Sequence, residues 1–227
     1  MSQPIYHYLA IGRLGRGEVL NLFLKDAGVS TKDVLYPFDE SWPATSEKLT
    51  QQGLTRTGLL PALEYKGEIY TQHIPTLRFL ARELGAYDGE TSHEKYVVDA
   101  VADIYIDWRV RISSSLACLH RSQAGDKLTW TVARQSQWVA SLKGATDEYK
   151  NSVVPKYYRI LGQYYSERAG PYLLGEKITY VDFAVYQSID NERRTGTLPE
   201  TLPESLVKLQ EAIEARPNIK EYIAEHK

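Results

Sequence analysis

Between Gly58 and Gly85 the spacing of apolar residues changes period. Ala62-Leu-Glu-Tyr65 and Glu68-Ile-Tyr-Thr71 flank Lys66-Gly67 and predict two short strands joined by a tight turn. From His73 to Leu84 the period is helical. Ile74, Leu77, Leu80, Ala81 and Leu84 form one stripe, Pro75 sits in the first turn and Gly85 ends the run. Upstream, Ile5 to Ile11 reads as a first strand. A helix follows near Gly17, with Leu20, Phe23, Leu24 and Ala27 at helical spacing and Gly28 as its stop, and Val34 to Tyr36 reads as a second strand. The order is β-α-β and then β-β-α, a four-stranded sheet with helices. Tyr87 to Ser92 is a polar linker, and from His93 the pattern is nearly all helical. The expected class is α+β, with one unit at 1–86 and an all-α unit at 93–227.

Within the second unit, Glu94 to Arg109 predicts a helix with Val97, Ala100, Val101, Ile104 and Trp108 on one face. Asp99, Asp103 and Asp107 form a ladder on another, where like charges repel by a few tenths of a kcal/mol each, so the ladder faces a cation or water. Asn151 to Arg168 reads as a helix with Pro155 in its first turn and Tyr157, Ile160, Leu161 and Tyr164 inward. Thr179 to Asp182 is a capping box with Ile178 as its staple, a structural signal. Residues 110–135 break the pattern. They have a poor helical stripe and an excess of basic residues, and they interrupt what otherwise reads as a helix hairpin. The segment reads as an insert or a retained intron, its opening Val compatible with a GT splice donor. Spliced mRNA encoding it would exclude the intron.

Composition narrows the function. The chain has 227 residues, 43% of them apolar, enough for one large domain or two small ones. A net charge of −2 argues against nucleic acid as the main partner. The single cysteine, Cys118, excludes an intramolecular disulfide and fits a reducing compartment. No signal peptide, no run of 18 apolar residues and no Cys/His spacing for zinc is present, so a soluble cytoplasmic protein without membrane or metal partner is expected.

The chemistry gathers at a few residues. A cis Leu60–Pro61 bond would turn the Leu60 N–H and C=O outward, free to pair with an extended peptide. The helix that starts at His73 would offer free N–H groups and positive dipole to a carboxylate. Tyr8 ends the first strand just before Gly-Arg-Leu-Gly-Arg-Gly-Glu, and its hydroxyl could hydrogen-bond a sulfur and favour thiolate over thiol. A thiol of pKa ~8.5 is only a few per cent ionised at neutral pH, and lowering it by ~2 units is worth about 2.7 kcal/mol. Tyr6 is the weaker candidate, and Arg13 or Arg16 could support the thiolate by charge or tie down the loop.

Leu60-Pro61, Gln72-His73, the Tyr8 loop and the capping box together resemble the cytosolic glutathione transferases of the tyrosine type, nearest the sigma/mu-like group and of fungal type. The resemblance covers nearly everything but 110–135. It implies a thioredoxin-like N-terminal domain, a helical C-terminal domain and a detoxifying homodimer. In such an enzyme glutathione is the co-substrate and conjugates to a small hydrophobic electrophile. Tyr8 and Arg16 are the implied catalytic residues. Trp42, Lys48, Leu60, Pro61, Gln72 and His73 are implied to hold glutathione, with Asp107 reaching the γ-glutamyl ammonium across the dimer. Three departures stand out. Trp42 and Lys48 are six residues apart where four is usual, the loop after Tyr8 is two residues longer, and His73 replaces a Ser. The His73 ring is expected to add pH dependence near neutrality. A sigma-type isomerase, or a binding or scaffold protein without turnover, is the alternative.

Overall fold

The computed structural model describes residues 3–121 and 147–226. Its sheet has the order β2-β1-β3-β4, from β1 (Ile5–Leu9), β2 (Lys32–Tyr36), β3 (Ala62–Tyr65) and β4 (Glu68–Thr71). β1 runs parallel to β2 and antiparallel to β3, with Tyr6 opposite Leu63 and His7 opposite Ala62. The β3–β4 turn puts Lys66 at φ 53° and Gly67 at φ 86°, two positive values that the twist of a tight hairpin requires.

The helices α1 (Gly15–Asp26) and α3 (His73–Leu84) contact each other and the central helix of the second unit. α2 (Trp42–Gln51) anchors a smaller core, where Trp42, Leu49, Leu54 and Ala62 are buried together. The period of two in β1 divides its side chains. Tyr6 and Tyr8 enter the main core, while the intervening His7 bridges Tyr36 Oη at 2.9 Å and Glu64 Oε1 at 2.7 Å. α3 has the predicted bounds and ends on Gly85 at φ 65°, though Leu84 of its stripe is exposed. β1 stops two residues before the expected Ile11, and β2 starts two before Val34.

The second unit holds α4 (Ser92–Arg121), α5 (Val154–Ser166), α6 (Tyr180–Thr195), α7 (Glu204–Glu214) and α8 (Lys220–Glu225). No described helix is long and apolar enough to cross a membrane. α4 continues past Arg109, so residues 110–121 extend a helix instead of leaving it. The rest of the expected insert, 122–135, lies outside the described residues. α5 is preceded by a π turn, Tyr149–Val153. Pro155 explains it: a proline cannot donate to the carbonyl four residues back and its ring presses on that carbonyl, so the chain widens there. Tyr158 and Tyr165 are buried on α5, whereas the expected Ile160 and Tyr164 are only partly covered.

α6 is the axis of the unit. Its Asp182 accepts from the Thr179 N–H (2.6 Å) and hydroxyl (2.8 Å), from the Leu173 N–H (3.0 Å) and from Tyr165 Oη (2.8 Å). Ionic ties hold the two units together. Arg216 grips Asp26 at the end of α1 through two nitrogens, both at 2.6 Å, and Arg13 meets Glu18 at 3.1 Å and Asp190 at 3.2 Å. All three acids are largely shielded from water, so the geometry of these pairs matters more than for surface pairs.

Candidate active site

Tyr8 reaches the end of β1 on the side of α1, and its ring lies flat on two glycines. A Cβ added to Gly17 would stand 2.3 Å from Tyr8 Cδ2, and one on Gly15 2.4 Å from the hydroxyl. Gly15 also has φ +80°, a conformation that side chains rarely adopt. Gly17→Ala should therefore displace the phenol, cost about 1–3 kcal/mol and lower turnover. Thermal unfolding and an activity assay check both effects, and an unchanged pair of values would contradict this packing.

The phenol is 5% exposed and donates to Leu14 O at 3.3 Å, a long bond that a better acceptor could take over. Burial pushes its pKa up to about 12, against the opposing pull of the Gly17 amide and the Arg109 charge. At neutral pH it is therefore a donor and not a base.

Around it lies a cleft of about 230 Å³. β1 contributes Tyr8, α1 contributes Arg16 and α2 contributes Trp42. The loop before β3 contributes Leu60 and Pro61, and the start of α3 contributes Gln72 and His73. The Leu60–Pro61 bond is cis. Gln72 caps α3 at φ 67°, a strained position for a residue with a side chain. The first-turn N–H groups that follow have no acceptor within the helix.

Two predicted residues stand elsewhere. Lys48 is exposed in the last turn of α2 and does not line the cleft. Six residues is about one and two-thirds helical turns, so Trp42 and Lys48 point apart. Asp107 is exposed on α4 and does not line the cleft of its own chain. In the acidic ladder Asp99 meets a cation within the chain, Arg78 Nε at 2.8 Å, and Tyr180 Oη at 2.5 Å. Of the loop arginines, Arg13 is the tie and Arg16 lines the cleft.

His73 differs from its expected behaviour. The ring is 3% exposed, edge-on to Tyr105, and Nε2 has no partner among the described residues. Burial first, then the charges of Arg109 and Arg16, hold its pKa well below 6.5. It is neutral at physiological pH and does not titrate near neutrality. The unfolded chain takes up the proton near pH 6.5 and the folded one does not, so stability falls as pH drops below that value. The slope from this one ring is up to about 1.4 kcal/mol per pH unit. His73→Phe should flatten the acid limb of a denaturation series, and an identical limb would exclude the ring as its source.

Arg109 was not among the residues predicted for the site. It is buried, lines the cleft, and donates from Nε to Tyr105 Oη (3.0 Å) and from Nη2 to Gln187 Oε1 (2.9 Å). The signal was available: Val98, Val101, Ala102 and Tyr105 are buried at helical spacing, and Arg109 is the next position on that face.

The glutathione S-transferase C-terminal domain family matches residues 134–226. Glutathione S-transferase 1 of Ascaris suum is 27% identical over 227 residues, 98% of this chain and 97% of that one. Probable glutathione S-transferase 5 of Caenorhabditis elegans is 29% identical over 213 residues, 92% of this chain and 90% of that one. The crystal structure of the glutathione S-transferase from Ascaris lumbricoides superposes with a TM-score of 0.71 at 27% identity, covering 100% of this chain and 98% of that one. The chain, with its sheet of order β2-β1-β3-β4, its cis-proline edge and its helical unit, is thus similar over nearly its whole length to glutathione S-transferases of Ascaris and Caenorhabditis.

Proposed function

We propose that the protein binds glutathione in the cleft beside Tyr8 and transfers it, as the thiolate, to small hydrophobic electrophiles. The observation that carries this reading is the meeting of the Tyr8 phenol, the Leu60–Pro61 edge and the start of α3 around one cleft. In this reading the Leu60 backbone pairs with the extended tripeptide. The first turn of α3 takes the γ-glutamyl carboxylate, and the Trp42 indole N–H serves the glycine end. Tyr8 gives up its long bond to Leu14 O and donates to the sulfur, while the Arg16 cation adds to the stabilisation. The named relatives are nematode proteins and lend no support to a fungal type. Lys48 drops out of the proposed site on its position.

The glutathione site is completed, in the same proposal, by Asp107 from a second copy across a two-fold axis. Its exposure on α4 fits that role, and a monomer in sedimentation equilibrium would remove it. The direct test of the whole reading has two steps. The protein should be retained on immobilised glutathione and eluted by free glutathione, and the eluted protein should conjugate an aryl halide. Retention without turnover of any electrophile would support a binding role instead.

A further inference from the structure

One peptide group joins α6 to the phenol of Tyr8. The Leu14 carbonyl accepts from Tyr8 Oη at 3.3 Å, and the N–H of the same peptide, on Gly15, donates to Asn191 Oδ1 at 3.4 Å. The Leu14–Gly15 bond is trans, so its C=O and N–H point to opposite sides of one plane. A group that fixes the N–H therefore also fixes the carbonyl that meets the phenol. Gly15 opens α1, where its N–H has no acceptor within the helix. Asn191 supplies one from the second unit, and its side chain is buried on α6. A hydrogen bond at the N–H end also polarises the carbonyl and makes it a better acceptor.

The residue before this peptide is held by the same helix. Arg13 reaches Asp190 Oδ2 at 3.2 Å and donates to Tyr186 Oη and to Ile223 O, each at 3.3 Å. Gly15, at φ +80°, has the backbone freedom to let the peptide turn, and it lies directly against the Tyr8 hydroxyl. Asn191 and Arg13 remove that freedom. We infer that Asn191 is a positioning residue for the thiolate: through the Leu14–Gly15 peptide it sets the direction from which the Tyr8 hydroxyl meets the sulfur. Asn191 does not line the cleft, so it acts only through that peptide. This inference rests on the transferase reading, in which Tyr8 exchanges Leu14 O for the sulfur, and its test separates the two.

Asn191→Leu keeps the outline of the side chain and removes the acceptor. It should lower kcat for aryl-halide conjugation about tenfold, with KM for glutathione changed by less than about twofold. The bound thiol should titrate about 1 unit higher than in wild type. In a Tyr8→Phe background the same substitution should change the rate by less than about twofold, because the hydroxyl it directs is gone. Asn191→Asp keeps an acceptor oxygen in either protonation state, and the amide nitrogen it replaces has no partner among the described residues. It should recover much of the rate. Unchanged kinetics in Asn191→Leu, a loss as large in the Tyr8→Phe background, a loss without the thiol shift, or an aspartate no better than leucine overturns the inference. If Asn191→Leu does not fold, hydrogen exchange of the Gly15 amide in folded wild type decides the question. Slow exchange is expected, and exchange as fast as in an open chain overturns the inference. Wild type that is retained on glutathione and conjugates no electrophile overturns the transferase reading, and this inference with it.

Discussion

Tyr8→Phe should cut kcat/KM for aryl-halide conjugation by about 10- to 100-fold, the value of one hydrogen bond to a charged acceptor at about 1.5–3 kcal/mol. The substitution removes one oxygen and leaves a ring that fits between the same two glycines. Retention on immobilised glutathione should hardly change, because in the proposed reading the peptide is held at Leu60, Gln72, His73 and Trp42, which line the cleft apart from the phenol. The loss should appear mainly in kcat at neutral pH and narrow as the pH rises, since alkali ionises the thiol without help. A uniform loss at every pH would point to damaged packing around Gly15 and Gly17. Full activity would remove Tyr8 from the mechanism.

Asp182→Ala should destabilise the protein by about 3–5 kcal/mol. The carboxylate is fully buried and accepts from four donors, two of them the backbone N–H groups of Leu173 and Thr179. Alanine leaves all four donors in a dry interior, at the start of the helix that α1, α3, α4 and α7 all contact. That is a large share of the 5–15 kcal/mol by which a domain is stable, and a fall in Tm of roughly 10 °C should follow. Burial raises the pKa of this carboxyl and the donors pull it down, so a neutral side chain of the same outline keeps part of the function. Asp182→Asn should accordingly be milder than Asp182→Ala. Equal melting of the alanine variant and wild type would show that the donors find other acceptors.

How much of this was legible in the sequence varied with the range of the interaction. The β3–β4–α3 unit could be read residue by residue because local signals fix it: a Lys-Gly turn, a proline in the first helical turn, a glycine at the end. The capping box was legible for the same reason. Residues that depend on the meeting of distant segments were not. Asp99 reads as one rung of a ladder until α3 brings Arg78 against it. His73 reads as a switch near neutrality until the fold buries its ring and then sets Arg109 and Arg16, from two other helices, beside it. Lys48 failed on geometry that helical periodicity already contains, since six residues from Trp42 cannot return to the same face. Arg109 was passed over because it follows a buried stripe and carries a charge. The fold buries it and sets it in the lining of the same cleft as Tyr8.

The measurement closest to the central claim is the ionisation of glutathione while it is bound, followed by the ultraviolet absorbance of the thiolate across pH. With wild type the bound thiol should titrate about 2 units below its free value of ~8.5, and with Tyr8→Phe most of that shift should disappear. A bound thiol that titrates near ~8.5 in wild type would contradict the account, however tightly the tripeptide is held.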